Sequence, residues 1–151
     1  MTYTRLFTSL LTLFVAASPV AALDQSAELG LTPTDAGLKL QLTLPEEALL
    51  PADASPDDLG FLLAILADPA PFFRFLGPGR CHVAEAEVER LPASDGQRQI
   101  AARYGFRCTD GRPDRLAVDL FDMFPGLDAV ALDGMSRPLT AADRLIDLPA
   151  N

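Results

Sequence analysis

Leu38, Leu40, Leu42 and Leu44 alternate with Lys39, Gln41 and Thr43, the period-two pattern of a strand with one buried face. Residues 26–31 precede it as a partner strand. Asp35-Ala36-Gly37 supplies the turn, and Pro45 stops the run. A second pair of extended, mostly alternating stretches spans residues 80–91 and 98–108. They are separated by Pro92-Ala93-Ser94-Asp95-Gly96, whose Asp-Gly step is a strong hairpin signal. Leu116, Val118 and Leu120 alternate with Ala117 and Asp119 as a further strand, and Val130 and Leu132 belong to another. The tail from Leu139 to Leu148 fits either a strand or a short helix.

Helical signals are fewer. Ser55-Pro56-Asp57-Asp58 offers a cap, a proline suited to the first helical position, and two carboxylates for the positive end of the helix dipole. Leu59–Leu66 is apolar on nearly all sides, which predicts a buried helix, and Asp68-Pro69 ends it. Phe121 to Gly126 reads as one helical turn closed by Pro125 and Gly126. Phe72, Phe73, Phe75 and Leu76 form an aromatic cluster, read as cover for the sheet core rather than an exposed partner site. The pattern predicts an α+β fold: an antiparallel sheet built from hairpins, one buried helix and a disulfide-linked central hairpin.

The disulfide follows from the hairpin. A four-residue loop, Ala93–Gly96, pairs residues whose numbers sum to 189, which sets Cys81 opposite Cys108. These are the chain's two cysteines, and an oxidising compartment bridges such a pair. The N-terminus indicates that compartment. Arg5 precedes an apolar run from Leu6 to Val15, and Val20-Ala21-Ala22 places small residues before Leu23. Residues 1–22 therefore read as a secretory signal peptide cleaved after Ala22, leaving 23–151 as a single periplasmic domain. The apolar stretch is short of the roughly 20 residues a membrane helix needs. No membrane insertion is expected after cleavage.

Charge narrows the partners. Without Arg5 the exported chain carries eleven basic and 21 acidic residues, a net charge of about −10. Such a balance argues against nucleic acid and against anionic membrane surfaces. Candidate chemistry is sparse. His82 is the one histidine, and it neighbours Cys81 on a predicted strand, where successive side chains face opposite ways. No phosphate-binding glycine loop or nucleophile elbow occurs. The chain is thus read as no enzyme, although a dispersed carboxylate pair needs no sequence signature. The weak metal candidates are His82, Glu85, Glu87 and Glu89. The three glutamates at i, i+2, i+4 stand on one strand face, otherwise a solvated surface partly matched by Arg103 or Arg98.

Several stretches together resemble the ZrgA-like family of bacterial periplasmic proteins associated with zinc uptake. They are Gly37–Pro45 (GLKLQLTLP), the Gly60-Phe61 pair, Tyr104-Gly105-Phe106-Arg107-Cys108, and Leu120-Phe121-Asp122-Met123-Phe124-Pro125. The His-rich segments typical of that family are missing: Asp24 to Glu28 stand where the first would begin, and Leu62-Leu63 follow the Gly-Phe pair instead of Glu-His. No cofactor is therefore expected, zinc being implied by the resemblance alone. The resemblance implies a non-catalytic periplasmic accessory protein with a protein partner, near a zinc or transition-metal uptake system. The alternatives are a weak metal buffer using His82 and surface carboxylates, and an enzyme with a dispersed carboxylate site.

Overall fold

The computed structural model describes residues 25–149; the signal-peptide reading of residues 1–22 lies outside them. Alternating leucines do what period two requires. Strands β1 (Ser26–Thr34) and β2 (Gly37–Pro45) form the first hairpin, with Leu38, Leu40, Leu42 and Leu44 all buried. β2 pairs on its other side with β5 (Gln97–Thr109), which in turn pairs with β4 (Arg80–Ser94). Together with β7 (Ala129–Leu132) they make a five-stranded sheet in the order β4-β5-β2-β1-β7. β3 (Phe73–Leu76), β6 (Arg115–Val118) and β8 (Leu145–Asp147) make a second, antiparallel sheet in the order β3-β6-β8.

The two sheets enclose one core. Leu29, Leu40, Ile100, Tyr104 and Val130 from the larger sheet meet Phe73, Leu116, Val118 and Ile146 from the smaller. Ring contacts join the layers: Phe73 lies 5.6 Å from Tyr104 and Phe75 packs edge-on to Phe106 at 4.8 Å. Phe72 and Phe73 are fully or nearly buried and Phe75 is half-buried. The aromatic cluster therefore covers the sheet core, and part of it forms strand β3, which no alternation announces.

Three differences from the sequence expectations have physical causes. Among the described residues there are three helices, α1 (Glu46–Leu49), α2 (Pro56–Leu66) and α3 (Leu120–Met123), where the sequence predicts one buried helix and one helical turn at residues 121–126. The chief one, α2, starts as expected on a reciprocal cap. Ser55 Oγ accepts from the Asp58 backbone N–H at 3.2 Å, while an Asp58 carboxylate oxygen accepts from the Ser55 N–H at 2.8 Å. Yet α2 is not a buried helix. Leu62 and Leu66, one turn apart, are its buried residues, Leu59, Leu63 and Ile65 pack against the core in part, and Phe61 stands 70% exposed. The helix lies at the margin of the core beside β4, where there is no second layer to cover its other faces. Finally, the larger sheet is not wholly antiparallel, because β7 returns parallel to β1. The ambiguous tail is extended, as β8.

Candidate functional site

The central hairpin is the most built-up feature of the surface. Its turn is tighter than expected: Ser94 pairs with Gln97, leaving Asp95-Gly96 as a two-residue turn. Both have positive φ, 52° and 79°, the backbone that suits the right-handed twist of paired strands and that Gly96 adopts without a steric cost. Two one-residue irregularities in β4, between Leu91 and Ser94 and between Val83 and Glu85, then shift the register twice. After both shifts Cys81 stands opposite Cys108, and the two form a disulfide. The expected pair is right, although the loop used to derive it is two residues too long.

The irregularity at Ala84 also changes which side chains share a face. His82 and Glu85 differ in parity and would point opposite ways on a regular strand. Here His82 pairs with Arg107, and Glu85 with Gly105, so both lie on the sheet face that carries Glu87 and Glu89. Arg103 stands among the glutamates, 3.3 Å from Glu87 and 2.8 Å from Glu89. The Glu89 hydrogen bond, with the charge of Glu89 and the Glu87 contact added, raises the Arg103 guanidinium above its ordinary value. Arg98 turns elsewhere, to Glu46 at 3.8 Å. Glu85 has no ion-pair partner among the described residues.

Gly105 leaves a gap between Glu85 and Lys39 in one cross-strand row. The result is a shallow open depression of about 440 Å³, lined by Lys39, Gln41, Glu85, Glu87, Arg103 and Gly105. Among the described residues, no three His, Cys, Asp or Glu side chains are gathered as a metal site. His82 and the three glutamates share a face without converging on one point.

Two charged clusters escaped the sequence. Glu46 is 8% exposed and receives two hydrogen bonds from Arg90, both 2.7 Å, in a paired geometry that fixes the guanidinium plane. It closes the end of the sheet where α1 leaves β2. The second cluster gathers Asp119 and Asp122 around Arg144, at 3.5 and 2.6 Å, with Arg74 3.3 Å from Asp119. The Arg144 hydrogen bond holds the Asp122 carboxyl below the usual range. The Arg144 guanidinium thus bridges two carboxylates at the start of α3. Nothing local marks either cluster, because the partners lie 22 to 45 residues apart.

β4 itself is the exception in the fold. It is the longest strand, with 15 residues, and it lies at the edge of its sheet. Its outer face is exposed and its inner face only partly covered, at Cys81 and Val88, so that Val83 of the inner side remains 38% exposed. Comparison of the chain with models of known protein families finds no match, and comparison with curated proteins finds none.

Proposed function

We propose that this chain is an exported, non-catalytic accessory protein that works by protein contact, in the zinc or transition-metal uptake setting that its family resemblance implies. The observation that carries the reading is β4: a long edge strand, fixed at one end by a disulfide and open along its outer side. Edge strands of this length are ordinarily covered or shortened, since their free backbone groups recruit other chains. The disulfide supports an oxidising, extracytoplasmic location. No described helix is long and apolar enough to cross a membrane.

Deleting the gene should slow growth under zinc limitation, and the tagged exported chain should recover a specific partner from those cells. Unchanged growth with no partner recovered would sink the reading. Zinc titration of the oxidised, tag-free chain by calorimetry separates it from a metal-binding role. Stoichiometric binding at about micromolar affinity, lost when His82, Glu85, Glu87 and Glu89 are replaced together, would establish that role instead.

A further inference from the structure

We infer that the free edge of β4 between Glu85 and Leu91 is a docking site for an extended segment of a partner protein in which apolar and basic residues alternate. The inference rests on the accessory reading above and names the site through which it acts. Three observations define the occupant.

The first is the backbone. Among the described residues, no backbone hydrogen bond reaches β4 from any element other than β5. Between its two irregularities, β4 runs in unbroken register from Glu85, opposite Gly105, to Leu91, opposite Gln99. The irregularities and Pro92 close off both ends to pairing. This leaves seven regular residues, about 23 Å of strand, as a template for one added strand.

The second is the chemistry of the two faces. On the outer face, an added strand would lie beside Glu85, Glu87 and Glu89, where Arg103 is, among the described residues, the one cation paired with them. Basic side chains at alternate positions match that row, and the chain's negative charge attracts them from a distance. On the inner face the same strand would lie beside Ala86, which is exposed, and Val88, which is half-buried. There α2 flanks the edge: Tyr104, paired with Ala86, donates a hydrogen bond to the Leu66 carbonyl at 2.7 Å. The helix is apolar almost throughout and still exposes Phe61 and Ala64. Apolar side chains on the inner side of an added strand would bury against this margin.

The third observation excludes a second copy of this chain in the central register. An antiparallel pair of β4 edges centred on Val88, the middle of this stretch, sets Glu87 against Glu89 twice over. Like charges directly opposite one another destabilise a strand pair. The edge is therefore built against itself and open to a basic strand.

The probe is an end-blocked heptapeptide, Lys-Val-Lys-Val-Lys-Val-Lys, which sets lysines opposite Glu85, Glu87 and Glu89 and valines opposite Ala86 and Val88, with a second peptide carrying Glu for Lys, titrated into the oxidised exported chain at low salt. Backbone amide resonances should move chiefly along Glu85–Leu91. The Lys peptide should bind at least about tenfold tighter than the Glu peptide, as three matched charge pairs allow. Glu85→Lys together with Glu87→Lys, at two exposed positions, should reverse that preference and leave the rest of the amide spectrum in place. Absence of binding, equal binding of both peptides, or shifts that map to another surface would each overturn the proposal. A partner recovered from cells equally well by wild type and by the double variant would also overturn it, while leaving the accessory reading intact. If neither protein recovers a partner, the accessory reading falls, and the inference with it.

Discussion

Tyr104 shows how much one side chain can hold together. Its ring is wedged between Phe73 and Phe106, and its hydroxyl donates to the Leu66 carbonyl at the end of α2. It thus ties helix to sheet. Tyr104→Phe should cost about 1 kcal/mol in chemical denaturation, the usual net worth of one hydrogen bond. Burial pushes the Tyr104 hydroxyl well above its ordinary value, so the folded chain keeps a proton that the unfolded chain releases in alkali. Its contribution is complete below about pH 10 and is lost as pH rises towards the folded value. Denaturation midpoints measured upward from neutrality should fall above about pH 10 in the wild type, and the fall should be smaller in Tyr104→Phe. Glu46 acts on the same scale. Glu46→Ala would leave Arg90 without its paired acceptor and should cost about 1–3 kcal/mol. Neither role could be read locally, since Leu66 lies 38 residues from Tyr104 and Glu46 lies 44 from Arg90.

At the scale of the element, caps and turns were readable and burial was not. The Ser55 cap, Pro56 and the two aspartates set the start of α2 where the sequence places it. Ser55→Ala should destabilise the chain by about 1 kcal/mol, checked by thermal unfolding. The backbone hydrogen bond from Ser55 holds the Asp58 carboxyl below its ordinary value, with the Ser55 hydroxyl adding to it. Its contribution is present above the usual carboxylate range and is lost as pH falls through the lowered folded value. The acid limb of a stability profile should therefore flatten in Asp58→Asn, and only in part in Ser55→Ala, which keeps the backbone donor. The burial of α2 was misjudged because a helix apolar on every side does not say how many sides find a partner. Only the core margin decides that, and it buries Leu62 and Leu66 fully while Leu59, Leu63 and Ile65 pack against it in part. The central hairpin carries a related lesson. An expected four-residue loop and the observed two-residue turn with two irregularities reach the same cysteine register. Opposition of Cys81 and Cys108 tests the sum of the shifts, not each of them.

For the molecule as a whole, the disulfide is the chief covalent constraint. It joins cysteines 27 residues apart and should contribute about 3.5 kcal/mol on the chain-entropy account. Urea denaturation with and without reductant should differ by roughly that amount, and the Cys81→Ser/Cys108→Ser chain should match the reduced form. Because the bond lies at the start of β4, opposite the turn end, its loss should loosen the edge strand before the core. Hydrogen exchange along Arg80–Glu85 is the readout. Chain-wide charge and the two layers act together here: the core buries side chains of β5, β2 and β1, but of β4 only Cys81 and Val88 pack against it, and in part.

The sequence alone determined what depends on neighbours along the chain: the leucine strand and its hairpin, the capped start of α2, the place of the second hairpin's turn though not its length, and the pairing of the two cysteines. These follow from strand alternation, capping chemistry and short-range register, which operate within a few residues or across one hairpin. Tertiary structure decided what depends on distant segments meeting. It made a strand of the Phe73–Leu76 cluster by pairing it with β6, and brought β7 parallel to β1. It joined Glu46 to Arg90 and Arg144 to both aspartates, and left one face of an apolar helix and one long edge uncovered. Packing of two layers of unequal width fixes which apolar surface is buried, and no local pattern carries the width of the layer above it.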